Sequence, residues 1–128
     1  MADDVPVPTT TSVPRVLIVD DHARFRALAR RTLQADGYEV VGEAPDGAGA
    51  VAAVAELRPD LVLVDVGLPD VSGLDLAREL AAGDGPDVVL VSTRDAEDYQ
   101  QLARHHGALG FLPKAELSGD ALRALLAR

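Results

Sequence analysis

Polar side chains that could carry out phosphoryl chemistry follow four short apolar runs of the sequence. Asp20 and Asp21 follow the run at 15–19, and Asp65 follows the run at 61–64. Ser92 and Thr93 follow the run at 87–91, and Lys114 follows the run at 108–112. Grouped carboxylates can hold a hard divalent cation such as Mg²⁺, and one carboxylate can act as a nucleophile. Hydroxyl and ammonium groups can neutralise phosphoryl oxygens. These residue types therefore predict a phosphoryl site, provided that the fold brings them together.

Short apolar runs alternate with segments of helical periodicity along the chain. The runs are RVLIV at 15–19, YEVV at 38–41, LVLV at 61–64, DVVLV at 87–91 and ALGFL at 108–112. Between them, apolar residues recur at helical spacing, as in the stripe Phe25, Leu28, Ala29, Thr32 and Leu33. Five repeats of strand and helix predict an α/β fold with a parallel sheet covered by helices on both faces. Because the runs are apolar at consecutive positions, we expect strands that are buried on both sides.

Capping residues agree with this division of the chain. Gly37 and Gly107 stand where helices are expected to end, since glycine readily adopts the left-handed conformation found there. Asp46, Ser72 and Ser118 stand where helices are expected to begin, since their side chains can accept hydrogen bonds from free backbone N–H groups.

All the polar candidates fall at the carboxyl ends of predicted strands, the edge where open α/β sheets bind ligands. Each has an ordinary explanation when taken alone: a helix N-cap for the Asp20–Asp21 pair, a turn for Asp65, a solvated side chain for Lys114. Taken together they are harder to explain structurally, because clustered carboxylates repel one another. A divalent cation would offset that repulsion, and Lys114 would supply a second positive charge.

Composition limits the remaining possibilities. The 128 residues suit one domain, and we expect a flexible tail at residues 1–13, rich in Pro, Thr and Ser, before a domain at 14–128. The absence of cysteine excludes disulfides, a thiolate nucleophile and a cysteine zinc site. A net charge of −9 offers no electrostatic footprint for nucleic acid or an anionic membrane. Without a signal peptide or a long apolar stretch, the chain is expected to be cytoplasmic.

Four motifs in order give the sequence a family resemblance. IVDDH (18–22), LVDVGLPDVSG (63–73), LVST (90–93) and GALGFLPK (107–114) together resemble the receiver domain of two-component response regulators, over about residues 15 to 128. The resemblance implies a flavodoxin-like (βα)5 fold with strand order 2-1-3-4-5. DDH and the short loop before the fourth strand are similar to the subclass that often carries a C-terminal helix-turn-helix.

The resemblance also implies residue roles. Asp65 would accept a phosphoryl group from a sensor histidine kinase or phosphotransfer protein. Asp21, Asp65 and the Gly67 backbone carbonyl would hold Mg²⁺, with Asp20 acting through water. The chain would be a phosphoacceptor and not an enzyme acting on other substrates.

The implied switch lies further along the chain. Ser92, with Thr93 beside it as the alternative hydroxyl, would turn towards the phosphoryl group, and Lys114 would pair with a phosphoryl oxygen. Phe111 stands at the aromatic position that repacks, where tyrosine is frequent. Pro113 precedes the lysine, whereas the family usually places proline after it. Readout would occur on the face of the fourth helix, fifth strand and fifth helix, with a homodimer as one possible result.

Three other functions are alternatives to a phosphorylated receiver. A phosphatase of the haloacid-dehalogenase type needs a second acid two residues after the nucleophile, and that position is Gly67. A flavin-binding module needs a phosphate loop and aromatic residues, but the first loop reads DDHARF and aromatics are 3% of the chain. A receiver that binds partners without phosphorylation is the third. The histidines, His22, His105 and His106, do not suggest a metal site, and the arginines of the first helix are most simply a solvated face.

Overall fold

A computed structural model of the protein describes residues 13–93 and 97–127. The predicted tail at residues 1–13 lies outside this range except for Val13. The strands are β1 (Arg15–Val19), β2 (Glu39–Ala44), β3 (Leu61–Asp65), β4 (Asp87–Ser92) and β5 (Gly110–Pro113). The helices are α1 (Ala23–Ala35), α2 (Gly47–Leu57), α3 (Gly73–Ala81), α4 (Glu97–His105) and α5 (Gly119–Leu126), and a 3₁₀ turn covers Lys114–Glu116.

The five strands form one parallel sheet in the order β2-β1-β3-β4-β5. This confirms the predicted fold class and the 2-1-3-4-5 order. The order reverses between β1 and β3, so the carboxyl ends of these two strands flank the crevice at the reversal. β5 begins two residues later than the predicted run because the Ala108 N–H instead closes α4, donating to the Ala103 carbonyl at 3.0 Å.

Alternate residues of the central strands pack on opposite faces of the sheet. Leu17, Val19, Val62 and Val64 join a cluster with α2, α3 and α4. Val16, Ile18, Leu61 and Leu63 join a second cluster with α1 and α5. Both sets are fully buried, which explains why the runs are apolar at every position rather than at every second one.

The predicted caps are present. Asp46, Ser72 and Ser118 accept hydrogen bonds from the backbone N–H groups of Gly49, Leu74 and Ala121, respectively, at the starts of α2, α3 and α5. Gly37 and Gly107 have positive φ angles of 94° and 85° just beyond α1 and α4, as left-handed helix ends require.

The first helix departs from its predicted apolar stripe. Ala29 and Leu33 are buried, but Leu28 is 55% exposed. Arg26 and Arg30, two of the arginines expected on a solvated face, both pair with Glu43 of β2, at 3.0 and 2.7 Å. Hydrogen bonds from Arg30 and Arg26 outweigh burial and lower the pKa of the Glu43 carboxyl. The helical periodicity of the sequence predicts the helix, but it does not predict which of its arginines form ion pairs with β2.

The start of α5 is fastened to the turn that follows α1. The Gly119 N–H donates to Asp36 Oδ2 at 2.7 Å, and the Tyr38 hydroxyl donates to the Gly119 carbonyl at 2.9 Å. These partners are 83 and 81 positions apart in the sequence. The turn after α1 and the start of α5 are therefore joined by polar contacts as well as by the second hydrophobic cluster.

The loop from β3 to α3 folds tightly against the end of β3. The Gly73 N–H donates to the Val66 carbonyl at 2.9 Å. A Cβ atom placed on Gly73 would lie 2.2 Å from the Asp65 carbonyl oxygen and 2.7 Å from the Val66 Cα. Only glycine lets α3 begin this close to the strand that carries Asp65.

Across the described parts of the chain, the helices are all too short or too polar to cross a membrane.

Replacing Gly73 with alanine should destabilise the protein, since backbone atoms would have to move to relieve the contact. We expect a loss of about 1–3 kcal/mol or more in the free energy of unfolding, measured by urea denaturation. Gly67→Ala is the matched control, because a Cβ there meets no atom within 4 Å. Equal stability of the two variants would contradict the close approach at Gly73.

Candidate functional site

Three strands bring the charged residues of the site together. Asp20 follows β1, Asp65 ends the neighbouring β3, and Lys114 follows β5. Asp20 is fully buried and Asp65 is 5% exposed. Charged side chains are rarely buried to this degree without partners, so the arrangement requires compensating positive charge.

Lys114 supplies that charge within the site. Its Nζ lies 2.5 Å from Asp20 Oδ2 and 3.7 Å from Asp65 Oδ1, with the lysine side chain 10% exposed. The same Nζ stands 4.6 Å from the centre of the Phe25 ring of α1, a favourable position for a cation over an aromatic face. The ammonium is thus shared by two carboxylates and lies nearer to Asp20.

Asp65 is held in an environment that disfavours its ionised form. Burial raises the pKa of the Asp65 carboxyl, and the neighbouring Asp20 carboxylate raises it further. The Lys114 ammonium and the Gly67 backbone N–H act in the opposite direction, but the pKa remains raised overall. An additional cation beside Asp65 would therefore stabilise its ionised form.

One metal ion could be bound by four neighbouring side chains, those of Asp20, Asp21, His22 and Asp65. Each offers a ligand atom, and these atoms lie within 4.8 Å of one another. Asp20 Oδ2 is buried and accepts no hydrogen bond of normal geometry, although it contacts the Lys114 ammonium. Oxygen donors from carboxylates are the ligands that Mg²⁺ prefers, so this acidic pocket fits the cation that the sequence suggested.

His22 lies at the site, which was not predicted from the sequence. Its Nδ1 lies 3.1 Å from Asp20 Oδ1 and 3.1 Å from Asp21 Oδ1, and its backbone N–H donates to Asp20 Oδ1 at 2.8 Å. His22 is also the N-cap residue of α1, without a side-chain capping bond. The ordinary explanation of Asp20 or Asp21 as the helix N-cap is therefore not what the structure shows.

A cavity of about 370 Å³ opens beside these charges. Its lining includes Asp65, Gly67, Ser92, Thr93, Lys114 and Tyr99. Ser92 ends β4 and is 7% exposed, whereas Thr93 is exposed. Ser92, Thr93, Lys114 and Gly67, all predicted site residues, thus line one cavity with the predicted phosphoacceptor.

Tyr99 and Phe111 form an aromatic pair next to this cavity. Phe111 of β5 is fully buried. Its ring stacks on that of Tyr99 from α4, with centroids 5.1 Å apart and planes 13° from parallel. Phe111 was predicted from the sequence and Tyr99 was not, although Tyr99 precedes the buried Ala103 by four residues on the same helix face.

Comparison with known proteins identifies the family. The response regulator receiver domain profile matches residues 16–127. The chain belongs to the response regulator receiver family. Receivers are signalling modules, generally non-enzymatic, that work with histidine kinases or phosphotransfer proteins in two-component systems and bind Mg²⁺ at an acidic pocket.

Relatives of known name agree with this assignment. The transcriptional regulatory protein PdtaR of Mycobacterium tuberculosis is 38% identical over 122 residues, which are 92% of this chain and 60% of PdtaR. The transcriptional regulatory protein DegU of Brevibacillus brevis is 37% identical over 111 residues, which are 84% of this chain and 46% of DegU. The chain therefore spans about half the length of these relatives.

Solved receiver structures share the fold. The receiver domain of the putative response regulator NarL from Mycobacterium tuberculosis has a TM-score of 0.79 and 33% identity, covering 91% of this chain and 99% of that one. The BeF3-activated N-terminal receiver domain of Klebsiella pneumoniae RstA has a TM-score of 0.75 and 29% identity, covering 88% and 95%.

Asp65→Asn should stabilise the metal-free protein at neutral pH, because it removes a buried charge next to Asp20. A carboxyl whose pKa is raised by folding favours the folded state most below its unfolded pKa, and this contribution is lost as the pH rises through the folded pKa. The advantage of the asparagine variant should therefore shrink as the pH falls from 7 towards 4.

Urea denaturation in the presence of a chelator measures this difference at each pH. The exposed Asp75→Asn serves as the control and should show no such trend. An Asp65→Asn protein less stable than the parent at pH 7 would contradict the electrostatic description.

Proposed function

We propose that this chain is a phosphorylation-dependent switch of a two-component system and that Asp65 is its phosphoacceptor. The observation that carries the proposal is the position of Asp65: it is buried at the end of β3, beside Asp20 and within reach of the Lys114 ammonium. A cavity large enough for a phosphoryl group opens at the same place. Membership of the receiver family supports the same role.

In the proposed reaction, a carboxylate oxygen of Asp65 attacks the phosphorus of a phosphohistidine on the kinase or phosphotransfer protein. The new O–P bond forms as the P–N bond breaks, and the imidazole leaves with the electron pair of that bond. Lys114 is placed to pair with a phosphoryl oxygen, since its Nζ already lies 3.7 Å from Asp65 Oδ1. The Gly67 backbone N–H, which helps to hold the carboxylate, limits its rotation.

We assign Asp21, Asp65 and the Gly67 backbone carbonyl as direct ligands of Mg²⁺, with Asp20 acting through water. When bound, Mg²⁺ would neutralise charge on the phosphoryl oxygens. The exposure of the acids supports this division, because the Asp21 side chain is 35% exposed and the Asp20 side chain is buried against Lys114. Asp20 is thus already paired with Lys114, whereas the Asp21 side chain is more exposed.

The proposed output uses Ser92, with Thr93 as the alternative hydroxyl, and Phe111. A phosphoryl group on Asp65 adds about −1.5 to −2 charge and new acceptor oxygens. Ser92 and Phe111 lie on adjacent strands, where Leu90, two residues before Ser92, pairs in register with Phe111. We therefore place the readout on the α4–β5–α5 face, where a second receiver or an effector protein would bind. The net charge of −9 argues against direct nucleic-acid binding by this chain.

Phosphorylation at Asp65 can be tested by intact-mass measurement after incubation with acetyl phosphate and Mg²⁺. We expect the parent and the control Asp75→Asn to gain one phosphoryl group and Asp65→Asn to gain none. Labelling of Asp65→Asn to the parent level would refute the assignment. A parent that stays unlabelled, also with a cognate kinase, would favour the alternative of a receiver that binds partners without phosphorylation.

Magnesium should raise the melting temperature, because it binds the folded pocket in preference to the unfolded chain. At a concentration 100 times the dissociation constant, the expected gain is about 2.7 kcal/mol. Asp21→Asn should weaken this response, while Asp75→Asn should keep it. Differential scanning fluorimetry with Mg²⁺ titration provides the measurement, and an Asp21→Asn response equal to that of the parent would exclude Asp21 as a ligand.

The readout face can be mapped by NMR on a beryllofluoride-activated sample. Phe111 ring signals and the backbone amides of β5 should shift on activation, and the double change Ser92→Ala with Thr93→Ala should suppress those shifts. Changes confined to residues around Asp20, Asp21 and Asp65 would show that the α4–β5–α5 face is not the output.

A further inference from the structure

Two consecutive residues of α4 hold the same residue of β5. Tyr99 stacks on the ring of Phe111. Gln100 pairs with the backbone of Phe111: its Nε2 donates to the Phe111 carbonyl at 2.8 Å, and its Oε1 accepts from the Phe111 N–H at 3.2 Å. Side chain and backbone of Phe111 are thus both attached to one turn of one helix.

The position of β5 in the sheet explains why this pairing is possible. β5 is the last strand of the order and has β4 on one side only. The outward N–H and C=O groups of an edge strand need partners. A glutamine carboxamide presents an N–H donor and a C=O acceptor side by side, so it can pair with the N–H and C=O of one strand residue, which point to the same side. Gln100 therefore supplies at Phe111 the two hydrogen bonds that a further strand would otherwise supply.

Neighbouring residues make room for the carboxamide. A Cβ atom on Gly110 would lie 3.3 Å from Gln100 Oε1 and 2.9 Å from Leu125 Cδ2. A side chain at this position would press on both α4 and α5. Gly110 thus allows the close approach of Gln100 to β5.

The same turn of α4 also reaches the proposed phosphorylation site. Tyr99 lines the cavity that contains Asp65, Ser92 and Lys114. A displacement of this turn away from β5 would have to break the paired hydrogen bonds of Gln100. Because the pair is partly buried, water replaces those bonds less readily than on an open surface.

We propose that Gln100 is a positioning residue that holds α4 against β5 in the unphosphorylated protein. It thereby favours the inactive conformation over the activated one. Activation at Asp65 releases the carboxamide from Phe111 as α4 moves. The proposal rests on the proposed function for its second part, whereas the pairing itself can be tested without any phosphorylation.

The first measurement is amide hydrogen exchange by NMR on the unphosphorylated protein. Gln100→Leu keeps a side chain of similar size but removes both hydrogen-bonding groups, so the Phe111 amide should exchange about tenfold faster. Gln101→Leu is the matched control, since Gln101 is the adjacent residue of the same type and is exposed. Unchanged exchange at Phe111 in Gln100→Leu would overturn the pairing.

The second measurement is a beryllofluoride titration of the same proteins, followed by the amide shifts of β5. Loss of the pair should lower the concentration for half-activation by about 3- to 10-fold, the factor expected when the equivalent of about one net hydrogen bond ceases to favour the inactive state. Gln101→Leu should titrate like the parent. Faster exchange at Phe111 with an unchanged midpoint would overturn the role of Gln100 in switching.

Gln100→Glu provides a second test of the role in switching if the leucine variant does not fold. The glutamate keeps an acceptor for the Phe111 N–H, but when ionised it cannot donate to the Phe111 carbonyl and turns an acceptor oxygen towards it, so the midpoint should shift in the same direction. A shift in the opposite direction would refute the proposal. If the parent shows no activation-dependent change anywhere, the proposed function fails, while the exchange data still decide whether Gln100 holds β5.

Discussion

The structure of the site depends on one lysine shared between two buried carboxylates. Asp20 and Asp65 end adjacent strands and face each other across the reversal of strand order, where water is largely excluded. Lys114 compensates Asp20 closely and Asp65 only in part. The apo protein therefore keeps residual negative charge at the one carboxylate that faces the cavity. Such a charge disfavours the folded state, and that same imbalance attracts cations and electrophiles to this position.

The surrounding fold keeps these charges apart and in place. Each central strand contributes side chains to both hydrophobic clusters, so its backbone is fixed from above and below. Close packing leaves a core little freedom to relax. The close approach of Gly73 to the end of β3 also leaves the backbone at Asp65 little room to shift. The side chains that line the cavity at the carboxyl edge have open space on one side, so they are less constrained by packing. This separation between a rigid mount and adjustable surroundings suits a residue that is modified and then read by others.

The sequence was sufficient for features that depend on local chemistry, and insufficient for those that depend on side-chain direction. Consecutive apolar residues identified the strands, and the caps at Asp46, Ser72 and Ser118 marked where helices begin. The strand order came from family resemblance, because periodicity does not choose among parallel orders. The exposure of Leu28, the approach of His22 to Asp20, and the pairing of Gln100 with Phe111 were missed. Each depends on the rotation of a helix or on a rotamer set by residues distant in the chain.

The fastening of α5 to the turn after α1 has a consequence for the order in which the protein folds. The two hydrogen bonds that join Gly119 to Asp36 and Tyr38 close loops of more than eighty residues. Long loops are slow to close because their entropy must be lost before the contact forms. During synthesis, β1, α1 and β2 leave the ribosome well before Gly119 exists. Until α5 is synthesised, the apolar residues of the second cluster that pack against it stay exposed to solvent. Nascent chains stalled before this helix are therefore candidates for binding by chaperones.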